Sequence, residues 1–250
     1  VKYQLTIYMK DFLERGRKIF TSQQDSVLSA AIVIMFMVVV SQALGVVRQR
    51  VLLAFFSPSD YALFLAAFRL PDLVFEVLAF GAFSSAFIPV FSKTLKKNEK
   101  EAWRVASRIV NYGIILFIPV AILFSFLSYP LYNLIAPGFS PEQILHVSKI
   151  ARILFAAQGI FVVSYVITGV LESSRRFLVP ALAPIMYNIG IIGVTLIASP
   201  SLGLYAPALG VVVGACLHLC VQLPLAHILG FRFNRDTKLD ATVKQVGRLA

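Results

Sequence analysis

Charged residues are scarce in this sequence, and their scarcity excludes an ordinary soluble domain. Asp, Glu, Lys and Arg make up 14% of the 250 residues, against about 25% in a typical soluble protein. Hydrophobic residues make up 58%, and the mean hydropathy is +0.82. The apolar residues fall in long blocks rather than in amphipathic stripes. These blocks predict an all-α integral membrane protein with several spans.

Cysteine and catalytic motifs are also scarce. Cys216 and Cys220 are the only cysteines, and they lie four positions apart in an apolar run around His218. A metal site would need further ligands, so we expect these cysteines to be small packing residues in a lipid-embedded helix. The sequence contains no phosphate-binding glycine loop, nucleophile elbow or H-E-x-x-H helix. We therefore expect no enzyme and no cofactor.

Negative charge is in short supply, with 12 acidic residues against 23 basic ones and a net charge of +11. In a soluble protein this excess would suggest nucleic acid as a partner. Here the basic residues fall on alternate connections between apolar blocks, which indicates membrane topology instead. They occur in the N-terminus, 93–108, 172–176 and 230–248, and are absent from 128–147 and 199–203. We expect both ends to be cytoplasmic and no nucleic-acid partner.

These patterns divide the sequence into three parts. Residues 1–26 form a basic cytoplasmic segment, either an interfacial amphipathic helix or a tail. Residues 27–229 form a lobe of transmembrane helices, and 230–250 form a cytoplasmic segment leading to further chain. The first residue is Val1 and no stop is evident at the end, so we expect a piece of a longer protein. The predicted spans are 27–56, 61–92, 109–127, 150–171, 178–198 and 204–229.

Three residues are predicted to interrupt the first two spans. Gly45 and Gly81 weaken the restraint on the helix backbone. Pro71 cannot donate a backbone hydrogen bond, so the second helix should kink near Phe68. Broken helices are tolerated in membranes where they line a cavity, which is where transporters bind their substrates.

Charges at membrane depth are the strongest functional signal, because such charges are normally retained for a pathway or substrate. Arg48 lies at the end of the first span, where its guanidinium could bind a phosphate group or extend to the interface. Arg69, Asp72 and Glu76 share one helix face by their spacing. The alternative for these three is an internal ion-pair cluster that neutralises itself.

Several motifs resemble the lipid II flippase family (MurJ, also called MviN), which belongs to the multidrug/oligosaccharidyl-lipid/polysaccharide exporter superfamily. They occur in family order along the chain. The motifs are LGVVR at 44–48, FRLPDL at 68–73, GAFSSAFIPVF at 81–91, APGF at 136–139 and QLP at 222–224. The resemblance implies a transporter of fourteen spans in two lobes, of which this chain would be the N-terminal six-helix lobe.

The resemblance also implies a function. The family moves undecaprenyl-diphosphate-linked peptidoglycan precursor across the bacterial inner (cytoplasmic) membrane for cell-wall synthesis, so the expected partners are a lipid-linked anionic substrate, membrane lipids and a C-terminal lobe. Coupling to a monovalent cation or to membrane potential is left open. The alternatives are an exporter of another lipid-linked oligosaccharide or amphiphile, or a membrane scaffold that does not transport.

Site residues follow from the same resemblance. Arg48 is the leading candidate for contact with the diphosphate, because it retains an arginine of the family pattern. Gln42 and Phe75 stand where the family usually has arginine. The secondary substrate-binding candidates are Arg69, Gln42 and Arg50, and the candidate supporting acids are Asp72, Glu76 and Asp60.

Overall fold

Every regular element in the described part of the chain is helical. The computed structural model describes residues 27–80 and 87–238. The predictions for 1–26, Gly81 and 239–250 lie outside these residues. The helices are α1 (Val27–Phe55), α2 (Pro58–Ala67), α3 (Arg69–Phe75), α4 (Ile88–Lys97), α5 (Glu99–Ile135), α6 (Pro141–Ser173), α7 (Leu178–Leu202), α8 (Tyr205–Cys220) and α9 (Leu223–Ile228).

Five helical stretches among the described residues are long and apolar enough to cross a membrane. They are Ala31–Phe55, Glu99–Ile135, Pro141–Ser173, Leu178–Leu202 and Tyr205–Ile228. These stretches confirm the predicted all-α, multi-pass membrane fold. The predicted second span is not among them, because the chain there is divided into shorter helices.

The second span breaks at Phe68, where α2 gives way to α3. Pro71 has no backbone N–H, so the carbonyl of Ala67 loses its usual donor four residues along the helix. The hydroxyl of Tyr132 on α5 donates to this carbonyl instead, at 2.7 Å. A π-helical turn over Glu76–Phe80 follows α3. The buried Tyr132 side chain of α5 therefore stabilises the break in the second span.

Gly45 does not interrupt the first span. Helix α1 runs unbroken from Val27 to Phe55, so the helix does not break at Gly45, and a bend there stays a prediction. A single glycine costs a helix only about 1 kcal/mol relative to alanine. In hydrocarbon the freed backbone groups would have no water to bind, and this penalty favours continuity of the helix.

Two of the predicted connections are mostly helical. Helix α5 begins at Glu99, ten residues before the predicted third span, and ends at Ile135, eight residues after it. The side chain of Asn98 caps its start, accepting from the backbone N–H of Glu101 at 3.2 Å. Ser140 and Gln143 form a capping box that starts α6. Hydropathy finds the part of a helix that lies in hydrocarbon, whereas these capping residues set where the helix begins.

Helix α6 is the centre of the lobe and contacts helices on several sides, including α2, α3, α4, α5 and α8. Helix α1 packs mainly on α7, and its apolar stretch is largely exposed. Two apolar clusters occupy the two ends of the bundle. One contains Leu52, Phe64 and Tyr132, and the other contains Phe91 and Trp103.

Residues 230–238 return along the first turns of α5, and we call them the α5 strap. The ring of Phe231 lies 6.2 Å from that of Trp103, centroid to centroid. The amide of Asn111 donates to the carbonyls of Asn234 and Asp236, both at 2.9 Å. The guanidinium of Arg108 donates to the Asp236 carboxylate at 2.7 and 3.0 Å. The strap thus attaches the chain after α9 to the start of α5.

Candidate binding cavity

A cavity of about 790 Å³ opens between α1, α2, α3, α5 and α7. Its walls are mainly apolar and aromatic, with a small number of polar groups. This composition is typical of sites that bind amphiphilic ligands. The polar and charged lining residues are Arg48, Arg69, Asp72, Tyr61, Tyr132 and Tyr187.

Arg48 lies in the cavity because α1 packs through the same face. Leu52, one turn further on, is only 2% exposed, and residues four apart share a helix face. No ion pair or hydrogen bond joins Arg48 to another described residue. Its guanidinium is therefore available for an anion, which it can bind through two parallel N–H donors.

Among the described residues no direct ion pair joins Arg69, Asp72 and Glu76, the alternative considered for these three, although the charges of Arg69 and Glu76 act on the Asp72 carboxylate at longer range. The ion pairs within the described residues all involve Arg104 or Arg108, far along the chain from this cluster. Asp72 instead accepts a hydrogen bond from the amide of Gln158 on α6, at 2.6 Å. Arg69 is exposed and lines the cavity, whereas Glu76 is exposed and does not line it.

The other predicted site residues lie away from the cavity. Gln42 and Arg50 are exposed on α1 and do not line it. Two positions along a helix correspond to a rotation of about 200°, so Arg50 lies almost opposite Arg48. Asp60 accepts a hydrogen bond from the Ser57 hydroxyl at 2.7 Å, at the start of α2. The structure therefore brings together Arg48, Arg69 and Asp72.

Sequence reasoning missed four polar residues of this region: Gln158 beside Asp72, and the tyrosines 61, 132 and 187 of the cavity wall. Gln158 could have been noticed as a lone amide in an apolar span, since such residues usually bind another helix. The tyrosines give no such signal. Tyrosine is common in membrane spans near interfaces, and its contacts depend on how the helices are rotated.

A second polar cluster lies inside the lobe, between α6 and the α8–α9 region. The Ser164 hydroxyl lies 2.7 Å from Nδ1 of His218. Gln222 is fully buried; its amide nitrogen donates to Ser164 and its amide oxygen accepts from Thr168, at 3.1 and 2.8 Å. Each of these polar groups has a partner, so the cluster joins helices. Cys216 and Cys220 are exposed nearby. Within the described residues, no group of His, Cys, Asp and Glu side chains could hold a metal ion.

Comparison with known families gives a match over most of the chain. The family model described as "Lipid II flippase MurJ" matches residues 52–250. A probable lipid II flippase MurJ of Buchnera aphidicola subsp. Acyrthosiphon pisum (strain APS) is 29% identical over 211 residues, covering 81% of this chain and 41% of that protein. The lipid II flippase MurJ of Burkholderia cenocepacia is 28% identical, covering 74% and 37%. The chain thus spans about two fifths of the length of these relatives.

Two solved structures share the fold. A lipid II flippase MurJ in an inward closed conformation superposes with a TM-score of 0.69 at 24% identity. That match covers 87% of this chain and 46% of the other. A transporter of the MOP superfamily from Pyrococcus furiosus superposes with a TM-score of 0.63 at 15% identity, covering 93% and 52%. This chain therefore aligns with about half the length of each of the two solved chains.

Proposed function

The chain belongs to the lipid II flippase MurJ family, and from that premise we propose that it acts as the N-terminal lobe of a lipid II flippase. The substrate would be the undecaprenyl-diphosphate-linked peptidoglycan precursor, moved across the bacterial inner membrane. Both ends of the lobe would lie in the cytoplasm. A second lobe would complete the transporter, since alternating access requires two halves that move about a shared site.

The observation that carries this proposal is that two arginines lie in one cavity without an ion-pair partner among the described residues. Arg48 and Arg69 line one cavity of about 790 Å³, and neither forms an ion pair with a described residue. Unpaired guanidinium groups at membrane depth are costly unless a ligand or water compensates them. A diphosphate offers the paired oxygens that a guanidinium binds best. Arg48 would be the first contact and Arg69 the second.

Asp72 has a supporting role in this proposal. Its hydrogen bond comes from Gln158, and Arg69 attracts it only without direct contact, so the N–H donors of Arg69 are available for an anion. Its carboxylate also places one negative charge beside two positive ones. This arrangement would allow release of the diphosphate, since a site that binds a polyanion too tightly would not turn over.

The test is in vivo complementation of a strain depleted of its own lipid II flippase. The full-length protein that contains this lobe should restore growth, and Arg48→Ala should abolish the rescue because the leading contact with the diphosphate is lost. Arg50→Ala is the matched control. It removes the same charge two residues away on the same helix, outside the cavity, and should leave the rescue unchanged.

Three outcomes distinguish the alternatives. Rescue that survives Arg48→Ala would contradict the diphosphate site. Failure of a well-inserted, unaltered protein to rescue would contradict lipid II as substrate and favour another lipid-linked oligosaccharide or a scaffold. Equal loss of rescue with Arg48→Ala and Arg50→Ala would mean that charge at this end of α1 matters for insertion rather than for binding.

A further inference from the structure

A second groove lies on the outside of the lobe, between α5 and α6. It has a volume of about 450 Å³ and shares no lining residue with the cavity that contains Arg48. Small residues are part of its lining: Ala121 on α5, and Ala156 and Gly159 on α6. Exposed Ile118 and Ile122 form one wall. The groove is therefore open and mainly apolar, and it faces the lipid.

One charged residue lines this groove. Arg152 on α6 is exposed, and its Nε donates to the carbonyl of Ser125 on α5 at 3.1 Å. This bond fixes the guanidinium across the end of the groove. The other four N–H donors of the guanidinium have no partner among the residues that the structure describes. Lys149, three positions earlier on the same helix face, is exposed as well.

The position of Arg152 along α6 gives its depth in the membrane. Arg152 and Glu172 are twenty positions apart, and Glu172 adjoins the basic pair Arg175 and Arg176. At the rise of an α-helix this distance is about 30 Å, the thickness of the hydrocarbon core. Arg152 therefore lies at headgroup level, at the end of the bundle opposite the basic connections. The positive-inside bias disfavours basic residues at that end, so the presence of two there needs an explanation.

We propose that the α5–α6 groove binds an anionic phospholipid of the leaflet opposite the basic connections. The phosphodiester would accept hydrogen bonds from Arg152, with Lys149 as a second cation. One acyl chain would lie along the groove over Ala156 and Gly159. The charge and shape of the site are complementary to this ligand, because one fixed guanidinium stands at headgroup level above a channel of apolar side chains.

A phospholipid fits this place better than the proposed transport substrate does. The groove is separate from the cavity that contains Arg48 and Arg69, and it faces outward from the lobe. A single arginine with a neighbouring lysine suits one phosphodiester, and the open side of the groove leaves room for the second acyl chain in the bilayer. A bound phospholipid would fill the space between α5 and α6 and so support their packing.

The test uses fluorescence quenching by lipids with brominated acyl chains. Ile122→Trp places a reporter in the groove wall, with Trp103→Phe removing the tryptophan at the other end of α5. The protein is reconstituted in vesicles of phosphatidylcholine containing either brominated phosphatidylglycerol or brominated phosphatidylcholine. Phosphatidylglycerol should compete for the groove about fivefold better, since one basic residue near the surface contributes about 1 kcal/mol toward an anionic lipid.

Two variants probe the charge and the shape of the site separately. Arg152→Gln should reduce the fivefold preference to about one, and Arg104→Gln, an equal charge change at the other end of α5, should leave it unchanged. Ala156→Phe fills the groove without changing its charge. It should lower quenching by both lipids, and because residue 156 is exposed this variant should still fold.

Three results would overturn the proposal. Equal quenching by the two lipids in the protein without the Arg152 change would mean that Arg152 is only an interfacial arginine. A preference that survives Arg152→Gln would place the anionic lipid elsewhere. Displacement of phosphatidylglycerol by a small mole fraction of undecaprenyl diphosphate would assign the groove to a polyprenyl lipid. None of these results depends on the transport test with Arg48.

Discussion

The hydrogen bond between Gln158 and Asp72 couples the cavity wall to α6 at the centre of the lobe. Gln158 is 8% exposed, and its amide donates to the Asp72 carboxylate at 2.6 Å. Gln158→Leu would leave that carboxylate without its donor in a poorly hydrated place. We expect the free energy of unfolding to fall by about 1–3 kcal/mol, measured by denaturant titration in detergent.

Two further variants test the cause of this loss. Gln42→Leu is the same substitution at an exposed position of α1 and should change stability by less than about 0.5 kcal/mol. Adding Asp72→Leu to Gln158→Leu removes both partners and should recover most of the lost stability. An unchanged stability in Gln158→Leu alone would show that water replaces the amide at Asp72.

The rotation of each helix explains which site residues could be predicted. Arg48 was predicted from its depth in the membrane, and it does line the cavity. Arg50 has a similar depth and the same side chain, and Gln42 lies on the same helix, but neither residue lines the cavity. Only the packing of α1 against α7 and α2 decides between these faces. Because α1 is apolar almost all round, the pattern of its residues contains no such information.

At the scale of elements, α7 and α8 pack through glycines that allow their backbones to approach closely. A Cβ atom on Gly214 would lie 2.5 Å from the carbonyl oxygen of Tyr187, whereas one on Gly193 would meet nothing within 4 Å. Gly214→Ala should therefore force the helices apart and lower stability by about 1–3 kcal/mol. Gly193→Ala should be neutral or slightly stabilising, because alanine favours a helix.

Thermal unfolding of the two glycine variants, purified in the same detergent, gives the comparison. A lower midpoint for Gly214→Ala alone is the expected result. Equal midpoints would mean that α7 can shift to accept the methyl group. This variant also changes the cavity wall, since Tyr187 belongs to it, so loss of transport is expected to accompany loss of stability.

The α5 strap depends on Arg108, whose side chain is only 7% exposed and binds both Glu101 and Asp236. Arg108→Gln would leave the Asp236 carboxylate without its cation and Glu101 with only its exposed pair to Arg104. We expect faster hydrogen exchange of the backbone amides of residues 234–238, measured by mass spectrometry. Arg104→Gln is the control, because the pair it forms with Glu101 is exposed and such pairs contribute little.

Acid should release the strap in the same way. The hydrogen bonds from Arg108 and from the backbone of Lys238 hold the pKa of Asp236 below its ordinary value of 3.8. A carboxyl group with a lowered pKa stabilises the folded state above its unfolded pKa and loses that contribution as pH falls through the lowered value. Protection of the strap amides, relative to their intrinsic exchange rate at each pH, should therefore stay high at neutral pH and fall below about pH 4, with no such fall in Arg108→Gln.

The second span shows what could be predicted about an element and what could not. Pro71 identified the position of the break, because its missing N–H removes a helical hydrogen bond. Pro119 and Pro130 remove such bonds within α5 as well, yet that helix is continuous, so proline alone does not decide where a helix breaks. The Tyr132 hydroxyl, which donates to the Ala67 carbonyl left without its usual donor, lies 65 residues away in sequence. No local pattern specifies such a contact. Gly45 shows the opposite case, in which a flexible residue does not break the helix because the surroundings favour a continuous one.

At the scale of the whole molecule, the proposed orientation can be tested by cysteine labelling. Cys216 and Cys220 are first replaced by serine. Gly138→Cys, in the turn between α5 and α6, should react with a membrane-impermeant maleimide added to intact cells, because that turn is proposed to lie outside the cytoplasm. Lys97→Cys, at the end of α4, should react only after the cells are permeabilised.

The labelling result bears on both proposals in different ways. Reaction at residue 97 but not at residue 138 in intact cells would reverse the orientation. The cavity and the groove would both remain, but the groove lipid would belong to the cytoplasmic leaflet. Reaction at both positions without permeabilisation would mean that the protein does not insert as one defined topology.

The general architecture could be predicted because it depends on properties that act over many residues. Long apolar blocks require helices in a membrane, and the family motifs occur in order along most of the chain. The helix ends were less well predicted, since α5 is 37 residues long against a predicted span of 19. Capping at Asn98 decides where it begins, and that effect belongs to individual residues rather than to average hydropathy.

The length of α5 has a mechanical consequence. At the rise of an α-helix its 37 residues extend about 55 Å. A force applied to the α5 strap would be borne first by Arg108 and Asn111, near one end of this helix. Near the far end, the Tyr132 hydroxyl donates to the backbone carbonyl of Ala67. A force on the α5 strap would therefore act, along this one continuous helix, on the wall of the cavity.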